Sequence, residues 1–212
     1  MQIVNEQSYF NINSNANFSP HPLMCRGDIY NIGETANPFF HFYEVYQRTY
    51  PVTETSTGIT HQVPAMKFLR SMKDGEINGH GLPAIAYEIA NHFLMLAREL
   101  VWENVRLAEF SEAPSRQRCI WLIESMDDVI NWVNRLGFKP NIYSIVRVRA
   151  TGHALKVDSN YLVGDSEPLS TWFEKAHSYW SGKLTQTPLP EVLFEGRIEV
   201  DDIIDISKIE KT

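Results

Sequence analysis

Three polar positions of the chain lie where short apolar runs begin or end, and they could bind a ligand together. Arg26 and Gly27 follow an early apolar run, Ser115 and Arg116 precede a central one, and Glu191 opens a late one. An arginine presents a fork of N–H donors that suits phosphate or carboxylate, and a glycine permits close backbone approach. Each position also has an ordinary structural interpretation, as an exposed arginine, a turn serine or an edge-strand glutamate. Both interpretations stay open on residue type alone.

Other common chemistries lack their motifs in this sequence. The seven histidines form no HxxxH or HExxH pair, and the two cysteines form no CxxC pair, so we predict no metal site. Asp201, Asp202 and Asp205 cluster near the end of the chain, and we interpret them as a solvated acidic turn. The phosphate-binding patterns GxxxxGK[ST] and GxGxxG and the nucleophile pattern GxSxG do not occur.

The stretch from Pro114 to Trp132 is the element that must position Ser115 and Arg116. Its apolar run Cys119–Ile123 has the length of a buried strand. Ser125 then stands three residues before Asp128, which predicts a helix start of the capping-box kind. Apolar residues recur at helical spacing up to Gly137, which predicts the helix end. The stretch is therefore predicted to be loop, strand and helix.

Patterning elsewhere predicts separated helices and short strands. Residues 1–22 are rich in Asn and Ser and predict a loosely packed N-terminal arm. Leu23–Cys25 predicts a short strand that ends at Arg26, where Gly27 could adopt a positive φ. The longest helix should run from Pro83 to about Glu109. Its apolar stripe should comprise Ile85, Ile89, Phe93, Leu96 and Leu100.

The second half of the chain completes this picture. Ile142–Val148 alternates as a half-buried strand, with Arg147 and Arg149 on the face opposite its valines. Gly152 and the pair Glu195-Gly196 predict turns. Short strands mixed with separated helices indicate an α+β fold.

Composition limits the class of protein. The chain has 212 residues, enough for one large domain or two small ones, and its 43% hydrophobic and 21% charged residues are typical of a globular protein. We predict a single domain over residues 1–212. A net charge of −7 disfavours wholesale binding to nucleic acid. The segment 106–156 is locally basic, with eight Lys or Arg against five Asp or Glu, so an anionic ligand would be met there.

Location follows from the absence of targeting patterns. The N-terminus lacks the basic and apolar regions of a signal peptide. No stretch reaches the roughly 18 apolar residues of a membrane span, so we predict a cytoplasmic protein with no membrane partner. Cys25 and Cys119 are interpreted as buried free thiols, with a disulfide between them as the alternative.

The order of these features resembles the ADP-ribosyltransferase superfamily, and within it a bacterial family of toxin and phage-defence type. The resemblance lies in Phe110–Ser125, in Tyr179–Gly182 and in Pro190–Ile206. In that superfamily a first strand ends in Arg or His followed by Gly, a second carries a Ser- or Tyr-containing motif, and a third opens with the catalytic Glu. Those positions match Arg26-Gly27, Ser115-Arg116 and Glu191.

The resemblance implies a split, bent β-core with surrounding helices, and NAD as the substrate. Glu191 and Arg26 would be catalytic, and Arg26, Gly27, Ser115 and Arg116 would bind NAD. Cleavage of the nicotinamide–ribose bond develops positive charge that a carboxylate stabilises, and an arginine fork suits the pyrophosphate. Nicotinamide requires a flat apolar wall and backbone amide contacts. Gly27 could supply the amide contact, and Trp121 and Trp132 are candidates for the wall.

Two departures from the superfamily pattern affect the acceptor. No Ser-Thr-Ser motif precedes the central strand, and Thr55–Thr57, the nearest match by composition, lies too early. Leu189 stands two residues before Glu191, where members often carry the Gln or Glu that helps set the acceptor.

The resemblance predicts an enzyme that transfers ADP-ribose to a macromolecule as a toxin or anti-phage effector. The basic centre favours RNA or DNA as the acceptor, and a protein acceptor is the alternative. This context also implies a neutralising antitoxin protein as a partner. An NAD glycohydrolase with the same site and a non-catalytic binding module on the same fold are the competing hypotheses.

Overall fold

The structure is a computed structural model that describes residues 1–14, 23–137, 143–162, 164–165 and 167–204. The chain divides into two compact units, of which the first comprises Met1–His41 and Arg98–Thr212 and the second Phe42–Ala97. The second unit is therefore an insertion in the sequence of the first. A single domain over residues 1–212 stays a prediction. Among the described residues, no helix combines the length and apolar character needed to cross a membrane.

Helices and antiparallel strands are mixed along the chain, so the predicted α+β class is confirmed. The strands are β1 Gln2–Ser14, β2 Ile29–Ile32, β3 Thr49–Thr53, β4 Thr60–Pro64, β5 Ile120–Leu122, β6 Tyr143–Asp158 and β7 Pro190–Ile204. The helices are α1 Pro38–Val45, α2 Ala65–Lys73, α3 Leu82–Glu109, α4 Met126–Leu136 and α5 Leu169–Trp180, and a short 3-10 helix covers Ser159–Leu162.

The first unit is built on a sheet in the order β1-β6-β7-β2, with β5 paired to another part of β7. Leu122 of β5 pairs with Val192 of β7. The next residue, Ile123, forms an isolated bridge with Phe10 of β1 through two backbone hydrogen bonds of 2.8 Å. β1 is thereby bonded to β6 along its length and to the chain just after β5. The core between these strands is apolar and includes Tyr9, Ile120, Val148, Phe194 and Ile198.

β1 occupies residues that the sequence predicted to be a loosely packed arm. Tyr9 is fully buried, and Asn11 and Asn13 follow on the same inward face. The prediction is wrong for residues 2–14, because alternate inward side chains pack although Asn and Ser make the segment polar on average. Residues 15–22 of the predicted arm lie outside the described residues.

Arg26 and Gly27 lie in a turn before β2 and not at the end of a strand. The predicted strand at Leu23–Cys25 is wrong, because Asp28 closes the turn on Cys25. Its Oδ2 accepts from the Cys25 N–H at 2.7 Å, and its own N–H donates to the Cys25 carbonyl at 3.0 Å. Gly27 has a φ of 87°, which confirms the predicted positive φ.

Two glycines predicted to form turns lie within long strands. Gly152 of β6 pairs directly with Gly196 of β7, with φ values of 155° and 139°. A Cβ atom at Gly152 would lie 2.3 Å from the Glu195 carbonyl oxygen, and one at Gly196 would lie 2.5 Å from the Thr151 carbonyl oxygen. The glycines therefore allow close approach of two continuous strands, and the predicted turns at Gly152 and at Glu195-Gly196 are wrong.

The helix signals in the central stretch are confirmed. The Ser125 Oγ accepts from the Asp128 N–H at 3.1 Å, and Gly137 ends α4 in the left-handed conformation with a φ of 60°. The predicted strand at Cys119–Ile123 appears as β5, Ile120–Leu122. α3 has nearly the predicted bounds, but Leu100 of the predicted apolar stripe is 51% exposed whereas Glu99 is 1% exposed.

The second unit contains the β3–β4 hairpin, α2 and the first part of α3. Ala65, Phe68 and Ile89 form its buried centre. Residues 54–59, which include Thr55–Thr57, connect the two strands of the hairpin.

Candidate functional site

A pocket of about 440 Å³ lies in the first unit, beside β1, β5 and the start of β7. Its volume falls within the usual range of small-molecule sites, roughly 300–1,000 Å³. Its apolar wall includes Ile12, Met24, Phe39, Trp121 and Trp132, and its polar lining comes from Asn11, Asn13, Arg98, Arg116 and Glu191. An apolar pocket with a few convergent polar groups is the usual form of a ligand site.

Arg116 joins two glutamates and a tyrosine at the polar side of this pocket. Its Nε and Nη2 donate to the two carboxylate oxygens of Glu99 at 2.9 and 3.2 Å. Its Nη1 donates to Glu191 Oε1 at 3.0 Å and to the Tyr179 hydroxyl oxygen at 2.5 Å. The Tyr179 hydroxyl in turn donates to Glu191 Oε1 at 2.7 Å. Arg116 is only 4% exposed, so most of its donors are already engaged inside the protein.

Arg98 extends the network along α3. Its Nη2 donates to Glu99 Oε1 at 3.1 Å, and its Nη1 donates to the Leu162 carbonyl at 2.7 Å. With Arg98 and Arg116 positive and Glu99 and Glu191 ionised, the buried charges balance. Buried ionic groups of this kind remain tolerable only when they are paired and hydrogen-bonded.

The two glutamates differ in acidity because they share the arginines unequally. Burial raises the pKa of Glu99, but the nearby guanidinium groups of Arg116 and Arg98 outweigh burial and leave that pKa below its ordinary value. Burial also raises the pKa of Glu191, and the partial compensation from Arg116 and Tyr179 leaves it above its ordinary value. Glu99 is therefore the firmly ionised partner, whereas Glu191 accepts a proton more readily. Burial likewise raises the pKa of Tyr179, which keeps its hydroxyl neutral and able to donate.

The structure brings together some of the predicted site residues and separates others. Arg116 and Glu191 are hydrogen-bonded and line the pocket, although 75 positions separate them in sequence. Arg26 is exposed, and the Gly27 N–H donates to the Val200 carbonyl at 2.8 Å. Neither Arg26 nor Gly27 lines the pocket.

Ser115 does not line the pocket, but its hydrogen bonds fix the loop that carries Arg116. Its hydroxyl donates to Glu103 Oε2 at 3.0 Å, and its N–H donates to Glu195 Oε1 at 2.8 Å. The side chain of Asn37 holds the same loop by donating to the Arg116 and Cys119 carbonyl oxygens at 2.7 and 3.0 Å. These bonds give Ser115 a positioning role toward Arg116.

Both predicted wall residues line the pocket. The Arg116 guanidinium carbon lies 5.6 Å from the centroid of the Trp121 ring, within the range of a cation–π contact. The Trp132 Nε1 donates to the Pro190 carbonyl at 2.8 Å, beside Glu191. The two indoles therefore reach the pocket lining from β5 and α4.

Sequence inspection missed Glu99, Tyr179 and the asparagines of β1. Glu99 lies on the inward side of α3, where an apolar residue is expected. Tyr179 belongs to the segment Tyr179–Gly182 that carries part of the superfamily resemblance, and that membership was the available signal. Nothing in the local pattern indicated that these side chains would meet Arg116.

Two arginines of the basic segment 106–156, Arg147 and Arg149, form ion pairs with carboxylates on the outer face of β6. Arg149 contacts Asp201 at 2.8 Å, Glu199 at 2.7 Å and Glu6 at 3.2 Å. Arg147 lies 3.5 Å from Asp202. The shared outward face is confirmed, but carboxylates already compensate both charges.

The remaining site predictions concern thiols and metals. Cys25 and Cys119 are both free, and Cys119 is buried whereas Cys25 is exposed. The prediction of burial is therefore wrong for Cys25, which precedes the exposed turn. Within the described parts of the chain, no group of three or more His, Cys, Asp or Glu side chains is arranged to hold a metal ion.

The comparisons with known proteins place the chain in a family. No curated protein matches it. The family described as a protein of unknown function (DUF2441) matches residues 9–206, a range that includes β1 from Tyr9 onward, the Arg116 loop and all of β7. The chain therefore belongs to the DUF2441 family.

Proposed function

We propose that this protein cleaves the nicotinamide–ribose bond of NAD and transfers ADP-ribose to a macromolecule, on a fold of the ADP-ribosyltransferase type. The observation that carries the proposal is the Glu191 carboxylate, hydrogen-bonded to Arg116 and Tyr179 in an indole-walled pocket. A buried carboxylate next to a flat apolar wall suits a sugar bearing an aromatic, positively charged leaving group.

The reaction needs little from the protein beyond orientation and charge. The C–N bond between ribose and nicotinamide breaks, and its electron pair goes to the ring nitrogen, which neutralises the pyridinium. The ribose carbon becomes oxocarbenium-like, and the ionised Glu191 would stabilise that charge. An acceptor nucleophile then forms the new bond to this carbon and loses a proton to solvent.

Arg116 would act by holding Glu191 and not by binding the pyrophosphate. Its contacts to Glu99, Glu191 and Tyr179 leave little donor capacity for a ligand phosphate. Of the two arginines expected to bind NAD, Arg26 is therefore the one proposed to bind the pyrophosphate. Arg26 is exposed, on the turn that begins two residues after the pocket residue Met24.

The test is nicotinamide release from NAD by the purified protein and by Glu191→Gln. This substitution keeps the shape of the side chain and removes its charge, and we expect release to fall by about 10²-fold or more. Glu199→Gln is the matched control, because Glu199 lies on the same strand and pairs with Arg149 and Arg197 outside the pocket. Full activity of Glu191→Gln, with loss in Glu195→Gln or Glu199→Gln, would show that another carboxylate of β7 is the catalytic one.

A glycohydrolase is the second candidate, and Leu189 favours it. Leu189 is buried, and it stands where members of the superfamily that the sequence resembles often carry a Gln or Glu that helps set the acceptor. With an apolar side chain at that position, water could serve as the acceptor. Incubation with labelled NAD and bacterial extract, followed by separation of RNA, DNA and protein, distinguishes these functions. Label in one fraction identifies the acceptor class, and free ADP-ribose alone indicates the hydrolase. If neither product forms, the non-catalytic binding module is the remaining hypothesis.

The proposed acceptor is nucleic acid, with protein as the alternative, and the proposed biological role is that of a toxin or anti-phage effector with an antitoxin protein as its partner. The basic segment that motivates a nucleic-acid acceptor includes Arg147 and Arg149, whose charges face carboxylates. Phosphate contacts release counterions, so transfer to RNA or DNA should weaken as salt rises. A transfer rate that is flat between low and moderate salt would favour a protein acceptor.

A further inference from the structure

Asn11 and Asn13 are buried on the inward face of β1, where the neighbouring inward residue is the core residue Tyr9. Asn11 is 8% exposed and Asn13 is 2% exposed, and both line the pocket. A buried polar group without a partner costs about 1–3 kcal/mol. Asparagine is also disfavoured in strands. Two such residues on a core face suggest a role beyond packing.

The protein itself fixes which amide atom of each asparagine is left for a ligand. The Asn11 Nδ2 donates to the Trp121 carbonyl at 2.9 Å, so Oδ1 is the remaining atom. The Asn13 Oδ1 accepts from the Met24 N–H at 3.3 Å, so Nδ2 is the remaining atom. Neither remaining atom has a hydrogen-bond partner within the described ranges, and neither is sealed from solvent. The pocket is therefore offered one acceptor and one donor from residues two apart on a strand.

We propose that Asn11 and Asn13 together bind a primary carboxamide, whose N–H donates to Asn11 Oδ1 and whose carbonyl accepts from Asn13 Nδ2. The carboxamide of nicotinamide is the group of this class that the proposed function supplies, and the identification of the ligand rests on that function. The Gly27 N–H, which was predicted to contact nicotinamide, already donates to the Val200 carbonyl. In this proposal the side chains of Asn11 and Asn13 make the contacts to the carboxamide instead.

Strand pairing places this amide pair near the carboxylate that would act on the ribose. Phe10, which precedes Asn11, bridges to Ile123, and Leu122 pairs with Val192, which follows Glu191. Strands in a sheet are about 4.8 Å apart, so Asn11 and Glu191 approach the pocket from strands on either side of the β5 end. A nicotinamide ring held by the asparagines would therefore place its bond to ribose near Glu191.

Adenine also presents an N–H donor beside a ring-nitrogen acceptor, so both halves of NAD share this chemistry and the experiment must separate them. Nicotinamide, nicotinic acid and adenosine are titrated into the wild-type protein, and isothermal titration calorimetry measures the affinity of each. Nicotinic acid keeps the acceptor and loses the donor to Asn11. We expect nicotinamide to bind at least about tenfold more tightly than nicotinic acid or adenosine.

Asn13→Asp is the sharpest variant because it keeps an oxygen for the Met24 N–H and replaces the free amide nitrogen. We expect about a tenfold or greater loss of nicotinamide affinity. The control is Asn31→Asp, the same chemical change at an exposed position of β2, which should leave affinity unchanged. The comparison of nicotinamide with nicotinic acid on the wild type still decides the question if Asn13→Asp fails to fold.

Three results would overturn the assignment: equal affinity for nicotinamide and nicotinic acid, an Asn13-dependent preference for adenosine, or no binding of any of the three ligands. The outcome is distinguishable from that of the proposed function. Cleavage of NAD without discrimination between amide and acid would refute the asparagine pair and leave the enzyme standing. Discrimination without cleavage would support the pair and refute the enzyme.

Discussion

Replacement of Arg116 by methionine should destabilise the protein strongly, and more so at high pH than at low pH. The substitution removes the cation that donates to Glu99 and Glu191 while it keeps much of the side-chain volume. Breaking a buried ion pair by removing one partner costs about 3–5 kcal/mol. That is a large share of the roughly 5–15 kcal/mol that stabilises a typical domain, so the variant should be marginally folded at neutral pH.

The pH dependence follows from which carboxyl groups lose their partner. In the wild type, Arg116 and Arg98 hold the pKa of Glu99 below its ordinary value of 4.5. The stability that Glu99 contributes is therefore present above that value and is lost as pH falls through its folded pKa. Without Arg116, burial dominates at Glu191 and its pKa rises further. Its ionisation then destabilises the fold as pH rises, whereas protonation at acid pH relieves the penalty.

Urea unfolding at about pH 8 and about pH 5 measures both effects. The loss of unfolding free energy in Arg116→Met should be larger at the higher pH. Arg118→Met is the control, because that side chain is 47% exposed and lies 4.0 Å from Glu195. The control should change stability by no more than about 0.5 kcal/mol. An Arg116→Met loss that matches the control, or that is the same at both pH values, would refute the ionic account of this network.

Two further predictions concern stability. Asp158 accepts hydrogen bonds from the Thr185 Oγ1 and N–H at 2.6 and 2.8 Å and from the Leu189 N–H at 3.0 Å. Asp158→Asn places an amide N–H2 donor among these donors and should cost about 1–3 kcal/mol by urea unfolding, with Asp127→Asn at an exposed position of α4 as the comparison. Burial raises the pKa of Asp158 but these hydrogen bonds lower it overall, so its contribution to stability should be lost as pH falls through the folded pKa, and a pH-independent loss would contradict that reasoning. Gly152→Ala should prevent stable folding because its Cβ would lie 2.3 Å from the Glu195 carbonyl oxygen. Gly58→Ala is the control, because Gly58 also has a positive φ but its Cβ would enter open space, and it should cost only about 1–2 kcal/mol in thermal unfolding. Equal losses in the two variants would show that φ alone determines the cost.

Local signals in the sequence predicted local structure well. Ser125 and Gly137 bound α4 because each satisfies backbone groups within one turn of itself. The long helix α3 followed from an uninterrupted helical pattern that begins beside Pro83. Glu191 was correctly placed at the start of a strand.

Features that depend on distant partners could not be predicted from local patterns. Asparagines at the start of the chain suggested weak packing, but β6 supplies the partner that makes this segment a strand. Gly152 and Gly196 predicted turns, but they face each other across two paired strands that approach too closely for a Cβ atom at either position. Glu99 broke the apolar stripe of α3 because its partner Arg116 comes from a loop beyond the helix end. In each case tertiary contact overrode a sound local rule.

The pairing of β1 has a consequence for how the protein is made. Ser14 pairs with Tyr143 and Gln2 with Ala154, and β6 in turn pairs along β7 as far as Ile204. Contacts between residues so distant in sequence form slowly, and chain segments emerge from the ribosome at about 5–20 residues per second. β1 cannot pair until β6 has been synthesised, and Glu191 reaches its place only when β7 has emerged. The pocket should therefore assemble only after β7 has emerged, so nascent chains that stop before β7 would lack its binding capacity.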